Sequence, residues 1–204
     1  MPGKQPLQLL VLHCTATPAG RPVSADQIRQ WHLGPGTNPN GTIRFMGKDY
    51  AALSAIPPQL VGGVSVYKLG NKNRGWSRPG YSDMIHLNGA IENLVPYNND
   101  ELVDPWELTN GVRGINERAR HAVYVGGKSA DNLRDEDTRT PEQLATLLAY
   151  VKKWIELVPT IQVAGHNQFD AKACPCFSVV QWALANGIDP KNIYKAETKR
   201  ASKL

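Results

Sequence analysis

The sequence contains no apolar run that approaches the roughly 18 residues needed to cross a bilayer, which excludes a membrane-spanning helix. It has only three cysteines, Cys14, Cys174 and Cys176, and this odd, unevenly spaced set excludes a disulfide framework. We therefore expect a protein made in a reducing compartment, with thiols available for a metal or for catalysis. The amino-terminal stretch has one lysine, a short apolar run and no small-residue cleavage site. It predicts a first strand and not a signal peptide.

The composition fits one globular domain over residues 1–204, because 41% of the residues are hydrophobic and 20% are charged. We place the core at about 7–187, an insertion at about 34–75 and a basic carboxyl-terminal tail at about 191–204. Lysine and arginine number 23 against 18 aspartate and glutamate, so the net charge is +5. This charge favours a polyanionic partner, and nucleic acid, an anionic cell wall and a membrane surface would all suit it.

Three helices are marked by their capping residues. Thr140 and Gln143 form a capping box, and apolar residues at spacings of three and four follow for about five turns. Proline at 159 predicts the end of this helix. Ser24 begins a second capping box, and a third helix is predicted from about Ser178 to Asn186, stopped by Gly187.

Short apolar runs between the helices predict strands. The four candidates are Gln8–His13, Asp83–Leu87, His121–Val125 and Ile161–Ala164. Strands that alternate with helices favour an α/β fold, with a mixed central sheet flanked by helices. Residues 34–75 are rich in Gly, Pro and Asn and predict a long irregular insertion after the first helix, which is either functional or carries small elements of its own.

A candidate metal site lies where two predicted strands end. His13 ends the first strand, and His166 follows a later strand and precedes Cys174 by eight residues. Two imidazoles and one thiolate leave the fourth position of a tetrahedral zinc open for water, which is typical of a catalytic site. The alternative from spacing alone is that His166 packs in a loop and Cys174 is a small buried hydrophobic residue.

Five segments occur in an order that we recognise from a known family. They are VLHCTAT, QWH, GWSRPGYSDMIHLNG, INERARHAVYVGG and GHNQFDAKACPCF. The chain resembles the zinc-dependent N-acetylmuramoyl-L-alanine amidases of the type-2 family, which includes phage lysozymes and peptidoglycan recognition proteins. The resemblance covers most of residues 7–180 apart from irregular stretches at 34–75 and 96–118, and its first and last motifs are the most specific.

The resemblance implies a role for each matching residue. One Zn²⁺ ion would be held by His13, His166 and Cys174, with Lys172 assisting catalysis and Tyr81 beside the metal. The implied reaction is hydrolysis of the amide between N-acetylmuramic acid and L-alanine in peptidoglycan, for cell-wall lysis by a phage or prophage enzyme. We expect a monomer that needs no nucleic acid. It would be made in the bacterial cytoplasm without a signal peptide and act on the wall after release or export.

The other cysteines and histidines receive different predictions. Cys14 and Cys176 are expected to be packing residues, with Cys176 as an alternative metal ligand. His32 and His86 are expected away from the metal. His121, which begins a predicted strand, is the strongest competitor for a ligand position.

The chain departs from the family pattern at three places. Ser82 follows the tyrosine where many relatives have histidine, and the segment NGVRGIN lacks an Ala-His pair that some relatives carry. One branch uses a glutamate as general base on the third strand, where this chain has Tyr124. Proton transfer is therefore assigned to zinc-bound water aided by Tyr81 or Lys172.

Two other functions remain open at this stage. A peptidoglycan-binding module would hold the substrate without cleaving it, although such relatives commonly lack the cysteine ligand that Cys174 provides. A thiol hydrolase would use Cys174 as nucleophile and His166 as base. A bacterial recycling enzyme or an exported effector would fit the same amidase chemistry as a phage enzyme.

Overall fold

The computed structural model describes residues 3–60 and 67–196. The chain forms two compact units, one comprising Met1–Pro22 with Tyr81–Leu204 and the other Val23–Gly80. The first unit has the predicted α/β architecture with a mixed central sheet. Within the described residues, no helix has both the length and the apolar character needed to cross a membrane.

The elements are numbered in chain order over the described residues. The strands are β1 (Gln5–Pro6), β2 (Leu9–Cys14), β3 (Thr17–Pro18), β4 (Gly36–Thr37), β5 (Ile43–Phe45), β6 (Lys48–Tyr50), β7 (Asp83–Ile85), β8 (Ile91–Asn93), β9 (Leu102–Val103), β10 (Ala119–Tyr124), β11 (Gly127–Lys128) and β12 (Gln162–Gly165). The helices are α1 (Ala25–Leu33), α2 (Pro141–Leu157) and α3 (Val179–Ala185). Short 3₁₀ turns cover Leu53–Ala55, Asn116–Arg118, His166–Gln168 and Pro190–Asn192.

The central sheet has the order β12-β2-β10-β7-β8. The first four of these strands run parallel, and β8 is an antiparallel edge strand. Every residue of β2 and β10 is buried, which explains why β2 is an apolar run rather than an alternating pattern. The polar side chains of Arg120 and His121 in β10 are buried as well. All four predicted strands are present, each displaced by no more than two residues at either end.

The predicted caps start the helices. The side chains of Ser24 and Thr140 accept hydrogen bonds from the third helical backbone N–H and complete the two capping boxes. Ser178 caps α3 in the same way, and Gly187 follows that helix with a φ of 72°, in the left-handed region that glycine adopts readily. The apolar face of α2, including Trp154, joins the same core as Leu10, Leu12 and Cys14 of β2.

Parallel pairing brings the carboxyl ends of β2 and β12, where the candidate ligands His13 and His166 lie, to one edge of the sheet. Gly165 of β12 is in register with Leu12, so His166 and His13 follow as neighbours. Val123 of β10 is in register with His13 on the other side of β2. Side chains at the carboxyl ends of parallel strands meet at one edge, which is where ligand sites of open α/β sheets gather.

The second unit, Val23–Gly80, contains the whole range of the predicted insertion. It holds α1 and a three-stranded antiparallel sheet of order β4-β5-β6, separated by irregular segments. His32 of α1 is buried, and its Nδ1 accepts a hydrogen bond of 3.1 Å from the Gly80 N–H. Burial, followed by the charge of Arg74, lowers the pKa of His32 to about 4, so this imidazole is neutral at pH 7.

The carboxyl-terminal segment is attached to the sheet as far as the structure describes it. The Tyr194 N–H donates to the Val163 carbonyl of β12 at 3.0 Å. The Gln168 side-chain amide donates to the carbonyls of Tyr194 and Ala196. Residues 197–204 of the expected basic tail, and residues 61–66 of the insertion, lie outside the described residues.

Candidate metal centre and active site

The structure brings together the three residues that the sequence selects as metal ligands. His13, His166 and Cys174 each offer one ligand atom, and these atoms all lie within 4.8 Å of one another. His13 Nδ1 is 3.7 Å from Cys174 Sγ. Two such atoms bound to one tetrahedral zinc at ordinary bond lengths would be about 3.6 Å apart. The donor set and this spacing therefore fit a catalytic zinc with one open position.

A short loop after β12 places the cysteine beside the two imidazoles. His166 begins a 3₁₀ turn directly after the strand, and the Asn167 N–H donates to the Cys174 carbonyl at 2.8 Å. The backbone N–H of Cys14, at the end of β2, donates to Cys174 Sγ at 3.2 Å. The strand that carries His13 therefore also positions the Cys174 sulfur through this hydrogen bond.

Burial keeps His166 in the form that binds metals. Its pKa is lowered to about 4, chiefly by burial and then by the charge of Lys172, while Asp170 opposes the shift. The imidazole is therefore neutral at pH 7, with a lone pair available for a metal.

Tyr81 and Lys172, predicted from the resemblance, lie in the same region. The Tyr81 ring is tilted against the His13 ring, with 5.1 Å between centroids. Lys172 is exposed and lines a cavity of about 380 Å³ together with Cys174 and Lys128. Both side chains carry donors of the kind that stabilise an oxyanion.

Asp170 is a site residue that the sequence analysis missed. Its Oδ2 lies 2.9 Å from Lys172 Nζ and 3.9 Å from His166 Nε2. The hydrogen bond from Lys172 holds the pKa of this carboxyl below its usual range, so it is charged at pH 7. Its position four residues after His166 and two before Lys172 is the signal that could have identified it.

The other two cysteines lie beside the cluster. Cys14 Sγ is 3.5 Å from Cys176 Sγ, and the Cys176 thiol donates to the Gly127 carbonyl at 3.2 Å. The contact with Cys174, together with burial, raises the pKa of Cys14. The contact with Cys14, followed by burial, raises the pKa of Cys176. Both sulfurs are accounted for by packing and hydrogen bonds, as predicted for neighbours of the ligands.

The remaining histidines take separate places. His121 is fully buried behind His13, and its Nδ1 lies 3.0 Å from His13 Nε2. Burial, then the charges of His166 and Arg120, lower its pKa to about 3. His86 pairs with Glu92 at 2.9 Å, and His32 belongs to the second unit.

Tyr124 lies at the position where one branch of the type-2 amidase family has a glutamate, and its hydroxyl makes a structural hydrogen bond. Its hydroxyl donates to the Pro175 carbonyl at 2.8 Å, and burial raises its pKa. This hydrogen bond anchors the loop that carries Cys174, so the hydroxyl is engaged in structure.

Known proteins are similar to this chain in sequence and in fold. No family model matches the chain. The endolysin of Enterobacteria phage K11 is 23% identical over 179 residues, which cover 88% of this chain and 87% of that relative. The solved structure of the endolysin N-acetylmuramoyl-L-alanine amidase LysCS from Clostridium intestinale superposes with a TM-score of 0.52 at 17% identity, covering 93% of each chain.

Drosophila peptidoglycan recognition protein LB has a TM-score of 0.51 at 14% identity, covering 97% of this chain and 87% of its own. The similarity in fold extends across most of both chains in these pairs. It confirms the type of fold expected from the five sequence motifs. The chain is therefore similar in sequence to phage endolysins and has the fold of the solved N-acetylmuramoyl-L-alanine amidase and peptidoglycan recognition protein structures.

Proposed function

We propose that this protein is a zinc-dependent N-acetylmuramoyl-L-alanine amidase that cuts peptidoglycan during phage-mediated lysis. The observation that carries the proposal is the group of His13, His166 and Cys174 at the carboxyl edge of the sheet. Two histidine nitrogens and one cysteine sulfur leave one position of a tetrahedral zinc open, which is typical of a hydrolytic rather than a structural site. The similarity of the chain to phage endolysins supports the same interpretation.

When bound, a zinc ion at this position would lower the pKa of its water and polarise the amide carbonyl. The chain supplies the donors that meet the negative charge on the carbonyl oxygen. Tyr81 contacts the His13 ring, and Lys172 lines the cavity next to Cys174. Asp170 holds the Lys172 ammonium close to His166 through its ion pair. Donors that are already in place when charge develops stabilise an oxyanion, and this is the role that we assign to Tyr81 and Lys172.

The substrate class follows from the same proposal. Peptidoglycan is an anionic wall polymer, and the net charge of +5 favours association with it. The protein acts as a monomer on the wall, after synthesis in the cytoplasm and release.

The proposed reaction is tested by digesting purified peptidoglycan and analysing the soluble products. We expect stem peptides with a free L-alanine amino group and no new reducing sugar ends, because the cut lies between peptide and glycan. A binding module would sediment with the wall and release nothing. A thiol hydrolase based on Cys174 would lose activity with an alkylating agent and keep it with a chelator.

We expect Lys172→Ala to slow turnover by on the order of 10²-fold, because one oxyanion donor is removed. Zinc content and melting temperature should not change, since the Lys172 side chain is 55% exposed. The measurement is kcat on muropeptide together with zinc content by metal analysis.

The matched control is Lys191→Ala. Lys191 also pairs with an aspartate two residues earlier, Asp189, at 3.5 Å on the surface. Its loss should leave turnover unchanged. Normal turnover of the Lys172 variant would make Lys172 a solvated loop residue.

A further inference from the structure

Two imidazoles are linked in series behind the candidate metal site. His13 turns its Nδ1 towards Cys174 Sγ and its Nε2 towards His121 Nδ1, at 3.7 Å and 3.0 Å. The two nitrogens of His13 therefore have different partners. One faces the ligand cluster, and the other faces a histidine with no exposed surface.

Hydrogen bonding fixes the protons along this series. A His13 that binds a metal through Nδ1 carries its proton on Nε2, because a metal-bound nitrogen has no free lone pair or proton. The Nε2–H then donates to His121 Nδ1, which must be unprotonated to accept it. His121 consequently carries its own proton on Nε2. Metal-binding histidines are generally held in this way by a second group that accepts their other N–H.

The strand register and the glycine at position 111 allow the His121 ring to lie next to His13. His121 lies two residues before Val123, the register partner of His13, so the two histidines are on the same side of the sheet. A Cβ added at Gly111 would lie 2.3 Å from His121 Nδ1. A glycine at position 111 is therefore required for the ring to occupy this place.

Burying the His121 ring lowers the stability of the fold, and packing alone does not explain why a histidine is present at this position. His121 Nε2 is buried and has no hydrogen-bond partner among the described residues. A buried polar atom without a partner destabilises a fold, and an apolar residue at position 121 would avoid this cost. A histidine at position 121 is understandable if its Nδ1, which faces His13 Nε2, has a function.

We propose that His121 is a positioning residue that fixes the tautomer and the ring orientation of His13 for metal binding. The inference rests on the proposed function, because it assigns His13 as a zinc ligand. His121 itself is not a ligand: its Nδ1 is occupied by His13, and it is absent from the ligand cluster found among the described residues.

The test compares His121→Leu with His121→Asn in the full chain. Leucine removes the acceptor, whereas the asparagine carbonyl oxygen can occupy the place of Nδ1. We expect leucine to weaken zinc binding by about 10- to 100-fold, measured by competition with a chromophoric chelator, and asparagine to restore most of the affinity. The melting temperature of the metal-free protein separates this effect from a loss of stability.

A measurement on the unmodified protein covers the case in which a variant does not fold. Long-range ¹⁵N–¹H spectra of the zinc-loaded protein report which ring nitrogen carries each proton. We expect His13 and His121 both to be protonated on Nε2. A His13 protonated on Nδ1, or zinc affinity in the leucine variant equal to that of the parent, would overturn the inference while leaving the amidase proposal standing. A parent protein that binds no zinc would overturn both.

Discussion

The Cys174→Ser variant is expected to lose both its zinc and its amidase activity. Cys174 supplies the only sulfur in the cluster, and a serine hydroxyl is a far poorer zinc ligand than a thiolate at neutral pH. The loss of activity should exceed the roughly 100-fold effect expected for removing a group that only supports a ligand. Zinc content per protein and the rate of peptide release from muropeptide measure the two effects.

Cys176→Ser is the matched control for this experiment. Cys176 lies two residues further along the same loop, but its thiol donates to the Gly127 carbonyl and contacts Cys14. A serine hydroxyl can make the same hydrogen bond to the carbonyl. The control should therefore keep its zinc and most of its activity. If instead the Cys176 variant lost the metal and the Cys174 variant retained it, the ligand assignment would be reversed.

Among the single substitutions considered, Glu107→Ala is expected to reduce the free energy of unfolding most. Glu107 Oε2 lies 3.3 Å from Arg120 Nη2, and the two side chains are 1% and 2% exposed. The Arg120 guanidinium also lies over the rings of Tyr97 and Trp154. Removing the carboxylate leaves a buried charge without its counter-ion, which costs about 3–5 kcal/mol in the free energy of unfolding. Urea unfolding at pH 7 measures it.

A second substitution isolates the cause of this destabilisation. Adding Arg120→Met to the Glu107→Ala variant removes the orphaned charge and keeps an apolar side chain against Tyr97 and Trp154. We expect the double variant to regain much of the lost stability, since a buried ion pair is often replaceable by apolar residues. A single variant within 1 kcal/mol of the parent would show that water or another group compensates the arginine.

Local sequence signals predict much of this fold. The boxes at Ser24 and Thr140 identify helix starts because capping depends on residues only three positions apart. Buried parallel strands also leave a local signal, since both faces need apolar side chains. The small strands β4, β5 and β6 were not predicted individually, because two or three residues are too few for a periodic pattern.

The candidate site is predictable in part for the same reason. His13, His166 and Cys174 stand at strand ends and in specific motifs, so the sequence selects them, and the structure brings them together. The sequence leaves His121 as a possible ligand, because its relation to His13 depends on the register of two strands far apart in the chain. Asp170 escapes detection because its two partners define its role only when the loop is folded.

The most direct test of the account is digestion of purified peptidoglycan by protein that has been stripped of metal and then reloaded with zinc. Product peptides are followed by the appearance of a free L-alanine amino terminus. We expect the stripped protein to release none and one equivalent of zinc to restore release. Undiminished release by the stripped protein, or release of sugar fragments in place of peptides, would contradict the proposal of a zinc amidase.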